Sequence, residues 1–316
     1  MYLEKSIAVV VPAYNEEKLI RQTLASIPEL VDRIIVVNDA SMDGTSGIVK
    51  DMADNDPRVC LLEHGKNRGV GAAIVTGYKK ALELEIDVTA VMAGDAQMDP
   101  DDLIPVIKPV AEGRADYVKG NRLITGEAWQ MIPRYRYLGN AFLSLLTKVS
   151  SGYWGVADSQ TGYTAISEEA IRLLPLEELY PRYGYPNHLL VMLNVFSLRV
   201  MDVPVRPVYG IGERSDIRLW KVIPRLSWML TNCFFWRLKE KYIIRDFHPL
   251  VFFYLLGLTL FPSGLISGLY LFFYRIISGP VAVTSVLFSV FLFVSGLQSL
   301  FFAMWFDMEY NKGLKG

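Results

Sequence analysis

The 316 residues contain two cysteines, Cys60 and Cys233, and three histidines, His64, His188 and His248. The cysteines lie far apart, so they form neither a zinc knuckle nor a disulfide framework, and a reducing cytosolic setting follows. The histidines are scattered, with no zinc spacing and no Ser/His/Asp order. Net charge is −1, without the basic excess of a dedicated nucleic-acid binder. No secretory core is visible, because Pro12 stops the short run Val9-Val10-Val11; the amino-terminal part is expected to stay on the side where it is made. No repeat or low-complexity segment occurs. The glycines of Asn67-Arg68-Gly69-Val70-Gly71 lack Gly-x-Gly-x-x-Gly spacing, and no acidic residue follows at the required distance, which excludes a dinucleotide fingerprint.

What the chain does have is apolar surplus, unevenly spread. Mean hydropathy is +0.26, and most of the excess follows residue 248. Two runs, about 249–273 and 281–306, contain no Lys, Arg, Asp or Glu, and each is long enough to cross ~30 Å of hydrocarbon. The short link between them predicts a transmembrane hairpin. Upstream, the stretch 219–242 mixes Trp220, Trp228, Phe235 and Trp236 with Lys221, Arg225, Arg237 and Lys239, the composition of an interfacial helix. Arg237, Lys239, Lys241 and Arg245 precede the first span, and Lys312 and Lys315 follow the second. The positive-inside rule then puts both termini and the amino-terminal domain in the cytoplasm.

The first ~120 residues alternate β-branched runs with amphipathic stretches, which predicts a doubly wound α/β domain. Strands are expected at 6–11, 33–37, 58–62, 87–92 and 116–119, and helices at 16–26, 71–84 and 101–111. A helix is expected from Trp129 to about Ser151, and extra strands at 162–166 and 200–205. Pro204 and Pro207 suit the second of these to a sheet edge. The expected organisation is 1–216 catalytic domain, 217–246 juxtamembrane helices and 247–316 hairpin.

Chemistry gathers where apolar strands end, the place at which open α/β sheets bind ligands. After the first strand comes Pro12-Ala13-Tyr14-Asn15-Glu16-Glu17, and after the second Asn38-Asp39-Ala40-Ser41. After the fourth, Ala93-Gly94-Asp95-Ala96-Gln97 sets a carboxylate and an amide two residues apart, able to hold a hard cation that bridges a diphosphate.

In this order and spacing, the segments resemble the family 2 glycosyltransferases of GT-A fold, and among them the polyprenyl-phosphate sugar transferases. The resemblance covers residues 6 to about 218 by motif. It implies a nucleoside pocket at Pro12, Tyr14, Glu16 and Asp39, with Arg68 and Gly69 on a third contact loop. It implies Mg²⁺ or Mn²⁺ at Asp95 and Gln97, although Ala93 stands where the family's Asp-x-Asp-x-Gln has its first acid. Arg122, Arg136 and Asn140 fall where the family binds the acceptor phosphate. Asp158, in Asp158-Ser159-Gln160-Thr161-Gly162-Tyr163, falls on the sugar and acceptor side, and Arg214 on a loop over the diphosphate. Asp95, Asp158, Arg122 and Arg136 form the implied catalytic set.

The implied reaction is inverting transfer of a sugar, with a UDP-sugar favoured, to a polyprenyl phosphate such as dolichyl or undecaprenyl phosphate. The implied site is the cytoplasmic membrane face, and the span surface leaves room for packing as a homo-oligomer. Two alternatives remain open from the residues: a catalytically impaired scaffold of the same fold, suggested by Ala93, and a polysaccharide synthase, whose Gln-x-x-Arg-Trp motif the chain lacks.

Overall fold

The computed structural model describes residues 1–124, 134–206, 208 and 219–316, with the backbone alone at 134–138, 140 and 219–221. Among these residues the chain forms two compact units, Met1–Phe234 with Gly313–Gly316, and Phe235–Lys312.

The first unit is built on seven described strands: β1 (Ile7–Ala13), β2 (Arg33–Asn38), β3 (Val59–Glu63), β4 (Val88–Val91), β5 (Tyr117–Asn121), β6 (Thr164–Ser167) and β7 (Val200–Pro204). Their order is β3-β2-β1-β4-β6-β5-β7. β1 to β4 are mutually parallel, whereas β6 runs antiparallel between β4 and β5, and β7 lies parallel beside β5. The sheet is therefore mixed, a GT-A-like arrangement, and β7 edges it as Pro204 suggested.

The described helices up to the hairpin are α1 (Ile20–Ser26), α2 (Thr45–Asn55), α3 (Val70–Glu83), α4 (Leu103–Ala111), α5 (Arg134–Ser151), α6 (Glu168–Leu173), α7 (Tyr185–Val195) and α8 (Leu219–Lys239), of which α3 and α4 pack on the sheet. Both faces of β1 are covered, so Ile7, Ala8, Val9, Val10 and Val11 are all fully buried, the near-continuous apolar strand of a two-sided core. Two details differ from the sequence pattern. α1 starts at Ile20 rather than Glu16, because the Glu16 and Glu17 N–H groups bond to Thr45 Oγ1 (2.8 Å) and Asp43 Oδ2 (3.2 Å). α6 and α7 have no counterpart in the expected elements. α7 is buried at every residue except the half-buried His188 and so shows no polar face to give it a helical period.

Register decides what meets at the sheet edge. Val10 of β1 pairs with Val91 of β4, Val91 with Thr164 of β6, Lys119 of β5 with Thr164, and Asn121 with Pro204 of β7. The carboxyl ends of β1, β2, β4, β5 and β7 and the segment entering β6 therefore share one edge.

The second unit contains α9 (Leu250–Ile277) and α10 (Val283–Tyr310), two helices long and apolar enough to cross a membrane, joined by 278–282. Their backbones nearly touch: a Cβ on Gly264 would lie 2.3 Å from Phe293 N, and one on Gly296 would lie 2.2 Å from Phe261 N. Small residues at a crossing are how apolar helices associate without a hydrophobic driving force. Ser267 and Ser289 bond across it at 2.8 Å. Outward-facing Phe252, Ile266, Phe272, Phe288, Phe291 and Phe301 are exposed, an apolar surface suited to lipid. At the base, a π-helical turn (Glu240–Arg245) turns Lys241 and Tyr242 inward.

Candidate active site

Three strand-end turns are stitched to one another through side chains. Asn15 N–H donates to Ser41 Oγ (2.9 Å) and Met42 N–H to Asn15 Oδ1 (2.8 Å), joining the turn after β1 to that after β2. Gly94 N–H reaches Pro12 O (3.3 Å), and Thr23 Oγ1 of α1 donates to Gly94 O (3.1 Å), fixing the turn after β4. One residue in each turn takes a left-handed backbone without being glycine: Asn15 (φ 57°), Ala40 (φ 60°) and Ala96 (φ 57°). Such strain persists only where the surroundings impose it, and it gathers at ligand sites.

Asp39 is buried and fully used. It accepts the Arg68 and Gly69 N–H groups at 2.9 and 2.7 Å, and His64 Nδ1 lies 2.7 Å away. Burial alone would raise its pKa, but the Arg68 N–H, His64 and the Gly69 N–H together hold it below the usual carboxylate value. Asp39 thus ties the loop 67–71 to the turn after β2, and leaves Arg68 exposed above it. Gly69 has φ 98°, and a Cβ there would lie 2.5 Å from Pro181 O, so no other residue fits this turn. His64 had looked isolated in sequence; the fold makes it the group that orients Asp39.

Tyr14 is 40% exposed at the mouth of this edge, Pro12 is partly covered, and Glu16 lies half-buried behind. Burial, then the nearby Asp95 and Asp43 carboxylates, push the Glu16 carboxyl up to about 7. Negative charge is concentrated here. Asp95 Oδ1 accepts the Gln97 backbone N–H at 3.1 Å, closing the turn on the carboxylate. No group of three or more His, Cys, Asp or Glu able to chelate an ion occurs among the described residues. One carboxylate, one amide and local negative charge do fit an ion that takes its remaining ligands from substrate phosphates and water.

Across the edge, Arg122 and Asp158 pair bidentately: Nε to Oδ2 at 2.7 Å and Nη2 to Oδ1 at 3.2 Å. Asp158 is buried and also accepts the Gln160 N–H at 3.1 Å. Burial opposes its ionisation, yet Arg122 and then Lys119 keep its pKa below the usual value. Its carboxylate is therefore turned inward to hold Arg122. Ser144 of α5 meets Ser159 at 3.1 Å, docking that helix on the Asp158 loop. Arg136 and Asn140 sit two turns and one turn before Ser144 on the α5 backbone; their side chains lie outside the described residues, as does all of Arg214.

Two groups escaped the sequence reading. Lys119 is completely buried on β5, and Asp202 on β7 stands opposite it. A charged residue inside the apolar strand Tyr117-Val118-Lys119-Gly120 was the signal available.

A mixed sheet of this order is a GT-A-like arrangement. Residues 8–174 match the family described as Glycosyl transferase family 2, and the chain belongs to that family. Among similar proteins, UDP-N-acetylglucosamine–dolichyl-phosphate N-acetylglucosaminyltransferase of Methanococcus voltae is 33% identical over 219 residues, covering 65% of this chain and 87% of that protein. Undecaprenyl-phosphate mannosyltransferase of Micrococcus luteus is 27% identical, covering 63% and 82%. In structure, glucosyl-3-phosphoglycerate synthase from Mycobacterium tuberculosis, in complex with Mn²⁺, UDP and glucosyl-3-phosphoglycerate, superposes with TM-score 0.53 at 19% identity. That match covers 74% of this chain and 80% of that one, and it establishes the fold.

Proposed function

We propose that this protein transfers a sugar from a nucleotide sugar, with UDP as the favoured nucleotide, to a polyprenyl phosphate at the membrane surface. The observation that carries the reading is one sheet edge holding two opposite kinds of site. An acidic turn at Asp95 and Gln97 suits a metal diphosphate, and an Arg122 fork braced by Asp158 suits a second phosphate. Relatives named for dolichyl and undecaprenyl phosphate support the acceptor class. Two membrane-length helices support its location.

In this reading the Pro12, Tyr14, Glu16 and Asp39 turns, with Arg68 and Gly69, seat the nucleoside. A divalent ion, Mg²⁺ or Mn²⁺, bound at Asp95 and Gln97 would offset charge on the departing diphosphate. Arg122, with Arg136 and Asn140 of α5, aligns the acceptor phosphate, and Arg214 covers the donor. The acceptor oxygen is already anionic at neutral pH, so positioning and charge stabilisation carry the reaction and little general-base help is needed. In-line attack at the anomeric carbon inverts it. Residues 1–216 are the catalytic part, 217–246 the juxtamembrane part and 247–316 the anchor, with both termini cytoplasmic.

The test incubates detergent-purified protein with Mg²⁺ or Mn²⁺, polyprenyl phosphate and labelled UDP- and GDP-sugars in turn. One labelled lipid, formed only with metal and lost in Asp95→Ala, is the expected result. Nucleotide binding without any lipid product would instead favour a scaffold of the same fold.

A further inference from the structure

The Arg122–Asp158 pair rests on a second layer of charge that the proposed reaction does not use. β5 and β7 are parallel neighbours, with Lys119 opposite Asp202. A single oxygen, Asp202 Oδ2, accepts the Asn121 amide at 2.8 Å and the Ala157 N–H at 2.8 Å. Asn121 immediately precedes Arg122 in the chain, and Ala157 immediately precedes Asp158. One atom therefore fixes the backbone beside each member of the ion pair. Lys119 adds a third tie by donating from Nζ to Thr161 O, three residues beyond Asp158.

This arrangement is not the cheapest way to fill the β5–β7 face. A completely buried ammonium carries a desolvation cost that an apolar side chain would avoid. The other oxygen of Asp202, Oδ1, is buried with no hydrogen bond among the described residues, a position that calls for an explanation. Burial pushes the Asp202 carboxyl up to about 6, and pushes the Lys119 ammonium down against the pull of Asp158 and Asp202.

We infer that Asp202 and Lys119 are positioning residues, which clamp the chain on both sides of the Arg122–Asp158 pair so that the guanidinium is presented in one orientation to the acceptor phosphate. The inference rests on the transfer reaction proposed above. Among the described residues the hydrogen bonds of Asp202 lead to Asn121 and Ala157, beside Arg122 and Asp158, rather than to the turns after β1, β2 or β4.

The test is steady-state kinetics of sugar transfer by full-length Asp202→Ala, Asp202→Asn and Lys119→Met, with donor and polyprenyl phosphate varied separately. Thermal unfolding reports the folded fraction. Asp202→Ala is expected to raise the acceptor KM or lower kcat by a combined factor of about 10 to 100, with the donor KM within twofold of wild type. Asp202→Asn keeps an oxygen for the Ala157 N–H and is expected to recover part of the loss; it also serves as the test if the alanine variant does not fold. Lys119→Met is expected to show the same acceptor-side selectivity. Donor and acceptor KM rising together, or activity falling only with the folded fraction, would reduce these residues to structural supports and overturn the inference. Wild-type turnover with an unaltered Asp202→Ala would overturn it alone. No product from the wild type would take down the transfer reading and this inference with it.

Discussion

Each compact unit contains a bidentate arginine–carboxylate pair whose carboxylate is buried, and these two pairs are finished differently. In the second unit Arg237 meets Asp307 at 2.8 and 3.0 Å, and both side chains are fully buried. Tyr242 also donates to Asp307, and the Asn311 amide bonds to Tyr242 Oη (2.7 Å) and Asp307 Oδ1 (3.0 Å). In the first unit Asp158 is as deeply buried, but Arg122 is 24% exposed at the sheet edge. A sealed pair fixes the geometry of what surrounds it. A sealed pair is closed to solvent on both sides, whereas the Arg122 guanidinium still reaches solvent at the sheet edge. In the proposed reaction that difference separates a structural lock from a group that meets a phosphate.

The largest effect is expected from breaking the sealed pair. Asp307→Ala removes the carboxylate that faces the buried Arg237 charge, and is expected to destabilise the protein by about 3–5 kcal/mol, read as a lower midpoint of thermal unfolding in detergent. Replacing both partners together, Arg237→Met with Asp307→Leu, should recover most of that loss. The same pairwise swap at Arg122 and Asp158 should recover stability and no transfer activity.

The open pair should respond in activity rather than stability. Arg122→Lys keeps the charge and loses the fork. Transfer kcat/KM is expected to fall by about 10²–10³, while the unfolding midpoint moves little. Equal losses of activity and stability would erase the distinction between the two pairs.

The half-buried His188 sharpens the comparison, because burial alone shifts it and no carboxylate does. His188 on α7 accepts the Tyr180 N–H through Nδ1 at 3.2 Å, and burial pulls its pKa down to about 4. A folded pKa below the unfolded value means stability is fully present above about pH 6.5 and is lost as pH falls towards 4. The loss attributable to His188 is at most about 3 kcal/mol. His188→Asn, which can still accept that N–H, should flatten this part of the unfolding profile.

The smallest effect is expected at the exposed rim. Tyr14→Ala removes a 40% exposed ring and should weaken nucleotide-sugar binding by about 1 kcal/mol, near fivefold, with stability unchanged. Calorimetric titration of the donor measures it.

Much of this was legible in the sequence where one residue carries a local rule. The apolar strands, the strand-end turns around Asp39 and Asp95, and the two uncharged runs follow from periodicity and composition. Long-range partners were not legible. That Asp39 is held by His64 and the Arg68 and Gly69 amides depends on the loop 67–71 folding back over β2. That Lys119 faces Asp202 depends on β7 pairing with β5 in parallel, with partners 83 positions apart in sequence. A strand at β6 was legible, but its antiparallel run between β4 and β5 was not, and α7, buried at every residue but His188, carries no amphipathic signature. Of the four basic residues that argued for orientation before the first span, Arg237 and Lys241 prove to be buried, while Lys239 and Arg245 are exposed.

The central claim is that one sheet edge holds a donor diphosphate at Asp95 and an acceptor phosphate at Arg122. The most direct measurement is the pair of KM values, for nucleotide sugar and for polyprenyl phosphate, in wild type, Asp95→Ala and Arg122→Lys with saturating metal. The account predicts a crossed result: Asp95→Ala impairs use of the donor, and Arg122→Lys impairs use of the lipid phosphate. Both variants impairing the same substrate, or neither altering transfer, would contradict it.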